Sequence, residues 1–447
     1  YGEDALKTMK VPEGYKIELF ASEKEFPDLA NPVQLSFGNK GRLWVATMPS
    51  YPHYQPGDKR PQDKLIILED TNQDGKADKQ TTFADNLHIP VGFEIAAEGV
   101  YVSQGPNLIL LEDTNGDEKA DKKTILLSGF DDHDTHHAIS AFAADESGAI
   151  YMAEGVFLHT NVETSYGPVR GTNGGFYRYE PKRHKLERVN QVSIPNPWGI
   201  AFDRWGQNFY AETSGPNVNW MLPGSTLPRY GNGNFKGPNL IEKDHMVRPT
   251  SGLEFISSRH FPDEVQGDLI INNTIGFLGT KQHQMLEDTV GFTSKWRQDL
   301  IVSSDRNFRP VDMEIAPDGS LFMADWVTGW NDKGYGRIWK MTDETAKGWG
   351  LQKQTEAEIK ADYKKLSEAD LKSKLYFDDL RIRRKAQFEL VKRGKKGADQ
   401  FNLVIQDKSN QLARIHGILG LSQLARLNDK SYAKPLVALL KDADPEV

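Results

Sequence analysis

The stretch Met313-Glu-Ile-Ala-Pro-Asp-Gly-Ser-Leu-Phe-Met-Ala-Asp-Trp326 decides the fold. Two short apolar runs flank Pro317-Asp-Gly319, the residue types of a tight turn between antiparallel strands. The same pattern recurs upstream: an apolar strand, a Gly-bearing turn, and a second strand ending in small or acidic residues. It reads LSFGNKGRLWVATM at Leu35–Met48, FEIAAEGVYVSQG at Phe93–Gly105, FAADESGAIYMAEG at Phe142–Gly155 and IAFDRWGQNFYAETSG at Ile200–Gly215. A looser copy is LEFISSRHFPDEVQGDLIINN at Leu253–Asn273, and strand-like segments such as DKLIILED and GGFYRYEP follow several copies. Antiparallel units recurring every ~40–50 residues read as propeller blades. A β-sandwich has no reason to repeat one hairpin six times. The expectation is an all-β, six-bladed β-propeller over residues 1–341.

Beyond Met341 the texture changes. Residues 342–374 are charged and helix-prone, and read as a linker with a first helix. Residues 375–447 carry apolar positions at helical spacing, as in DLRIRRKAQFELVKRG and NQLARIHGILGLSQLA. They resemble the paired helices of HEAT-type repeats, in which each unit buries one face against the next. A solenoid needs about three repeats, so truncation after Val447 is expected. A trimmed start is expected too, because the sequence opens on Tyr1 rather than Met.

Composition bounds the function. The chain has 447 residues, room for two domains, and 39 Gly and 23 Pro suit a turn-rich β protein. A net charge of −8 offers no footprint for nucleic acid or an anionic membrane. There is no Cys, hence no disulfide, thiolate metal site or cysteine nucleophile. No apolar run approaches the ~18 residues of a membrane span.

Two acidic segments stand one repeat apart: Leu68-Glu-Asp-Thr-Asn-Gln-Asp-Gly-Lys-Ala-Asp78 and Leu111-Glu-Asp-Thr-Asn-Gly-Asp-Glu-Lys-Ala-Asp121. Asp70, Asn72, Asp74 and Asp78 in the first, and Asp113, Asn115, Asp117 and Asp121 in the second, space oxygen donors as a calcium loop does. Thr81 and Thr124 stand where an EF-hand has its bidentate Glu, so neither is an EF-hand. The competing reading is a solvated Asp/Asn turn.

Asp131-Asp-His-Asp-Thr-His-His137 is the densest polar cluster, just ahead of an inner strand. A histidine there lines the axial channel and can serve as general base or metal ligand. His137 and the residues after it, through Gly155, resemble the catalytic-histidine segment of the soluble glucose/sorbosone dehydrogenases. Asn196-Pro-Trp-Gly-Ile-Ala-Phe202 with Glu212-Thr-Ser-Gly-Pro-Asn217 is similar to a further motif of that family. So are Ser251-Gly-Leu-Glu-Phe255 and Arg306-Asn-Phe-Arg-Pro-Val-Asp312. A closer resemblance is to the membrane-bound-dehydrogenase family of planctomycetes, verrucomicrobia and bacteroidetes. It rests on Asp134-Thr-His-His137, Asn196-Pro-Trp-Gly199 and Phe202-Asp-Arg-Trp-Gly-Gln207.

The resemblance implies a calcium-dependent quinoprotein acting outside the cytoplasm, in the periplasm or at the cell surface. It would oxidise a small carbohydrate or polyol and pass electrons to a cytochrome c domain or protein. By the same carry-over His137 is the base, with Arg309 beside it. Gly215 and Pro216 hold the cofactor calcium through their carbonyls. Asn196, Arg306 and Arg309 contact pyrroloquinoline quinone. One departure matters: the family's cofactor Lys is missing from Asn272-Asn-Thr-Ile-Gly276, where Ile275 takes its place, and the next Lys is Lys281. Two other readings stay open, a non-redox carbohydrate-active enzyme and a calcium-stabilised binding propeller.

Overall fold

In the computed structural model, residues 2–447 are described, apart from 53, 56, 216, 223–227, 229–233, 290, 332, 346–348 and 428. Each repeated hairpin becomes the two inner strands of a blade, and six blades surround one axis. Blade 1 runs Pro32–Phe37, Leu43–Thr47, Asp63–Glu69 and Lys79–Leu87 from the axis outward. The inner strands of blades 2 to 6 are Phe93–Ile95, Ser140–Ala144, Pro197–Phe202, Thr250–Phe255 and Pro310–Ile315.

The second strand of a blade is wedged between neighbouring sheets, so it is buried on both faces and largely apolar. Leu43–Thr47, Ile150–Glu154, Asn208–Glu212, Leu269–Asn273 and Leu321–Asp325 are buried at every position. The turns before them share one device. Asp145, Asp203 and Asp318 each accept backbone amides two residues on, and Gly148, Gly206 and Gly319 adopt φ of +79°, +85° and +84°. That left-handed conformation favours glycine.

The ring is closed by the N-terminal segment. Tyr15–Ser22 forms the outermost strand of blade 6 and pairs antiparallel with Arg337–Asp343, from Tyr15↔Asp343 to Ser22↔Arg337. Met9–Lys10 likewise adds to the outer edge of blade 5.

The helical segment starts at Trp349, inside the stretch expected to hold a linker and a first helix. Glu368–Lys374, Leu380–Lys392, Lys395–Val404 and Gln411–Leu427 follow, around a core that includes Leu371, Ile382, Leu390, Phe401 and Leu421. This unit docks on the turns between first and second strands, at one end of the channel. Arg381 donates to the carbonyls of Ile315 and Ala316 at 2.7 Å each, Gln387 to Glu146 O at 2.8 Å, and Gln423 to Ser147 O at 2.7 Å. No helix among the described residues is long and apolar enough to cross a membrane.

Candidate functional site

At the end of the channel away from the helices, one bond repeats in five of the six blades. The carbonyl of the residue just before the inner strand accepts the amide of a residue just past the second strand. The pairs are Asn31–Met48 (3.0 Å), His137–Gly155 (2.8 Å), Asn196–Thr213 (3.0 Å), Pro249–Thr274 (3.0 Å) and Arg309–Trp326 (2.9 Å). A register shift at the top of each of these inner strands accompanies it. His137, Asn196 and Arg309, far apart in sequence, therefore occupy equivalent places on one rim.

Below the rim lies a small axial cavity of about 50 Å³. Its wall includes Gln34, His136, Ala141, Trp198, Leu253 and Asp312, contributed by five inner strands and the loop before blade 3. The imidazole on that wall is His136, not His137 as the sequence suggested. His137 has its backbone pinned to Gly155, and its ring is turned toward Asp134 and the Val156 carbonyl, 3.4 Å from Nδ1. Both rings converge on one carboxylate. His136 Nδ1 is 3.1 Å from Asp134 Oδ1, and His137 Nδ1 is 3.3 Å from Oδ2. Among the described residues this is the one group of three or more His, Asp and Glu residues with donor atoms all within 4.8 Å of one another. Burial and the neighbouring His137 push the His136 pKa down to about 4 against the pull of Asp134, so the ring is neutral at pH 7.

Aromatic rings flank the histidine pair. Tyr51 packs edge-on to His136 (5.5 Å between centroids) and against Trp326 (5.7 Å), which meets Trp330 at 4.6 Å. On the other side, Phe157 lies 6.2 Å from His137 with its ring nearly parallel, and is 68% exposed. A second opening, lined by Asp131, His133, Asp134, Thr135, Phe157 and His159, reaches Asp134 from solvent.

The rim also carries buried polar atoms with no partner among the described residues: Asn196 Oδ1, Thr213 Oγ1 and Arg309 Nε. An added polar ligand would satisfy them. The remaining expected residues spread out. Gly215 is tied through its amide to Glu212 Oε2 at 2.6 Å, and Pro216 lies outside the described residues. Arg306 is exposed on the loop before blade 6. Ile275 is 46% exposed, and Lys281 is buried and committed to Asp299 at 2.7 Å.

The acidic loops spend their carboxylates on themselves. Asp78 accepts from Thr71 N (3.1 Å) and Asn72 N (3.2 Å), while Asp70 accepts from the amides of Asp74 and Gly75. Asp121 and Asp113 repeat this on Thr114, Gly116 and Glu118, and Asn115 and Asp117 cap the next turn of the second loop. Each loop is also a staple between blades: Ala77 N donates to Phe20 O, and Ala120 N to Phe83 O. Glu118, at the position Gly75 holds in the first loop, pairs with Arg42 at 2.8 Å and Lys40 at 3.0 Å.

The channel floor escaped the sequence reading. Glu94, Glu254 and Asp312 on three inner strands are each pushed up to about 7 by burial. Glu314 goes well above the usual range through burial and repulsion by Glu254 and Asp312. Arg381 and Arg384 of the docked helix face these acids and oppose the shifts.

With this geometry in hand, comparison with known proteins places the chain. A family described as a domain of unknown function (DUF7133) matches residues 2–330. The chain belongs to this family. No curated protein matches the sequence. Among solved structures, the holo pyranose dehydrogenase PQQ domain of Coprinopsis cinerea is similar at 12% identity and a TM-score of 0.50, over 75% of this chain and 97% of that one. The PQQ-bound aldose sugar dehydrogenase of Streptomyces coelicolor matches at 13% identity, TM-score 0.48, over 74% and 99%. A luciferin-regenerating enzyme matches at 11%, TM-score 0.48, over 73% and 95%. The likeness to the pyranose dehydrogenase domain agrees with the propeller fold and leaves the chemistry to the site.

Proposed function

We propose that this DUF7133 member is an oxidoreductase acting on a hydroxyl of a sugar or polyol at the rim of the axial channel, outside the cytoplasm. The observation that carries the reading is the Asp134, His136 and His137 cluster, whose His136 faces an aromatic-walled cavity beneath a rim that holds polar atoms without a partner among the described residues. Apolar ring faces suit the C–H faces of a sugar, and a few fixed polar groups orient its hydroxyls. Asp134 holds both imidazoles by Nδ1, so their orientation is set before substrate arrives. That unit polarises the reacting hydroxyl.

The electron acceptor in this reading is a quinone of the pyrroloquinoline type, which when bound would take up the two electrons of hydroxyl oxidation. Arg309 Nε and Thr213 Oγ1 can donate to such an anionic group, and Asn196 Oδ1 can accept from an N–H or O–H on it. With Ile275 in place of a lysine and Lys281 engaged elsewhere, one counter-charge is missing. The quinone would therefore be held weakly. A haem partner would receive the electrons, calcium would support the cofactor and the acidic loops, and the helical unit is of HEAT type.

The test is dye-linked oxidation of a panel of sugars and polyols by purified protein saturated with calcium and quinone. Activity should appear and fall by roughly 10²–10⁴ in His136→Ala, the range for losing a proton-handling side chain. If no acceptor is reduced with any sugar or polyol, the redox reading fails. Product formed without an acceptor would move the assignment to non-redox carbohydrate chemistry.

A further inference from the structure

We propose that Asp134, His136 and His137 bind a divalent transition-metal ion of the zinc class, with its open positions facing the axial cavity. The separations carry the case. The His136 Nδ1 lies 3.1 Å from Asp134 Oδ1 and the His137 Nδ1 3.3 Å from Oδ2, and one donor atom from each of the three residues falls within 4.8 Å of the other two. A tetrahedral ion with bonds of about 2.0–2.1 Å sets its ligands about 3.3 Å apart. The donor chemistry selects the ion. Two imidazoles and one carboxylate suit zinc and its first-row neighbours, whereas calcium and magnesium take oxygen shells. Three protein ligands leave positions for water or substrate, the pattern of catalytic rather than structural sites.

The cradle is built in advance. Asp134 stands at the start of a single tight turn, Thr135–His137, and its carbonyl accepts the His137 amide at 2.9 Å. The His137 carbonyl is in turn clamped by Gly155 N. At Gly155 a Cβ would stand 2.9 Å from His137 Cβ and 2.8 Å from Pro195 O, so the close approach that seats the histidine depends on glycine. The opening lined by Asp131, His133, Thr135, Phe157 and His159 gives an ion a route from solvent to Asp134. An ion there would act as a Lewis acid on a bound hydroxyl or carbonyl. For that role the inference rests on the sugar reading above. For metal binding it stands alone.

The experiment uses the full chain, stripped with a chelator and titrated with Zn²⁺ and separately with Co²⁺, with binding read by calorimetry and visible absorption. The expected result is one equivalent at this site, with Co²⁺ giving the ligand-field bands of a nitrogen/oxygen site. His136→Ala and His137→Ala should each weaken it by more than about 100-fold, beyond the 10–100-fold that outer-shell changes cost. Asp131→Asn should leave the stoichiometry unchanged. Circular dichroism checks that the variants fold, and the unmutated protein's Co²⁺ spectrum decides the matter if they do not. Absence of stoichiometric binding overturns the proposal. So does binding that survives intact in the folded His136→Ala/His137→Ala double variant. Neither outcome depends on oxidase activity, so failure here is separable from failure of the dehydrogenase reading.

Discussion

Arg381→Ala should detach the helical unit from the propeller. Arg381 donates to the carbonyls of Ile315 and Ala316 at 2.7 Å each, and grips Asp379 through Nε (3.0 Å) and Nη2 (2.8 Å). Asp379 is 1% exposed and also caps the helix Leu380–Lys392 through Arg381 N. Truncation leaves two carbonyls without their donor, a buried carboxylate without its two-pronged partner, Glu314 without its facing arginine and Glu254 with Arg384 alone. A hydrogen bond from a charged donor contributes about 1.5–3 kcal/mol. Breaking a buried pair by removing one partner costs about 3–5 kcal/mol. These terms overlap because the same guanidinium serves all of them, so the expected loss is about 3–5 kcal/mol rather than their sum. Arg381→Lys keeps the charge but cannot span both carbonyls and the carboxylate, and should lose an intermediate amount. Scanning calorimetry of the full chain reads the effect. In Arg381→Ala the helical transition should move to lower temperature and separate from that of the propeller. A loss below about 1 kcal/mol, the scale of an exposed pair, would refute the claim that this arginine anchors the dock.

Three further outcomes are expected. Glu94, Glu254 and Asp312 hold their protons to about pH 7 in the folded chain. The unfolded chain releases them near pH 4, so the folded state binds more protons in between. Their contribution to stability is therefore greatest at the acid end and is lost as pH rises toward 7. The thermal midpoint at pH 5.5 should exceed that at pH 8, and Glu254→Gln should narrow the gap. Gly155→Ala forces a methyl against His137 Cβ and Pro195 O. Thermal unfolding should show a loss of about 1–3 kcal/mol for overpacking, and histidine NMR shifts a displaced His137; an unchanged midpoint and spectrum would contradict the close approach. In the first acidic loop, Asp78→Ala removes the acceptor of Thr71 and Asn72. A drop in midpoint found only in calcium marks an ion site, whereas an equal drop in calcium and in chelator marks a turn.

The acidic loops show how far local reading reaches. The Asp/Asn spacing is legible, but which amides each carboxylate accepts depends on side-chain rotation, which spacing does not encode. The structure shows them accepting their own loop's amides. The histidine cluster tells the same story at finer grain. Its place before an inner strand is a local property, visible in Asp131–His137. Which imidazole faces the cavity is not: a turn of three residues sends neighbouring side chains in different directions, and the clamp between His137 and Gly155 settles it.

By itself the sequence determined the repeat of six hairpins, their turns, and the change to helical spacing after the propeller. Those signals are local: alternation of apolar residues, Asp and Gly at fixed offsets, and periodicity within a dozen residues. Tertiary structure alone decided the closure of the ring by Tyr15–Ser22 on Arg337–Asp343. It alone put His137, Asn196 and Arg309 on one rim, and set Arg381 and Arg384 against an acidic floor built from separate blades. Each of these joins residues tens to hundreds of positions apart. They meet because six wedge-shaped sheets must close around an axis, and no window of sequence contains that constraint.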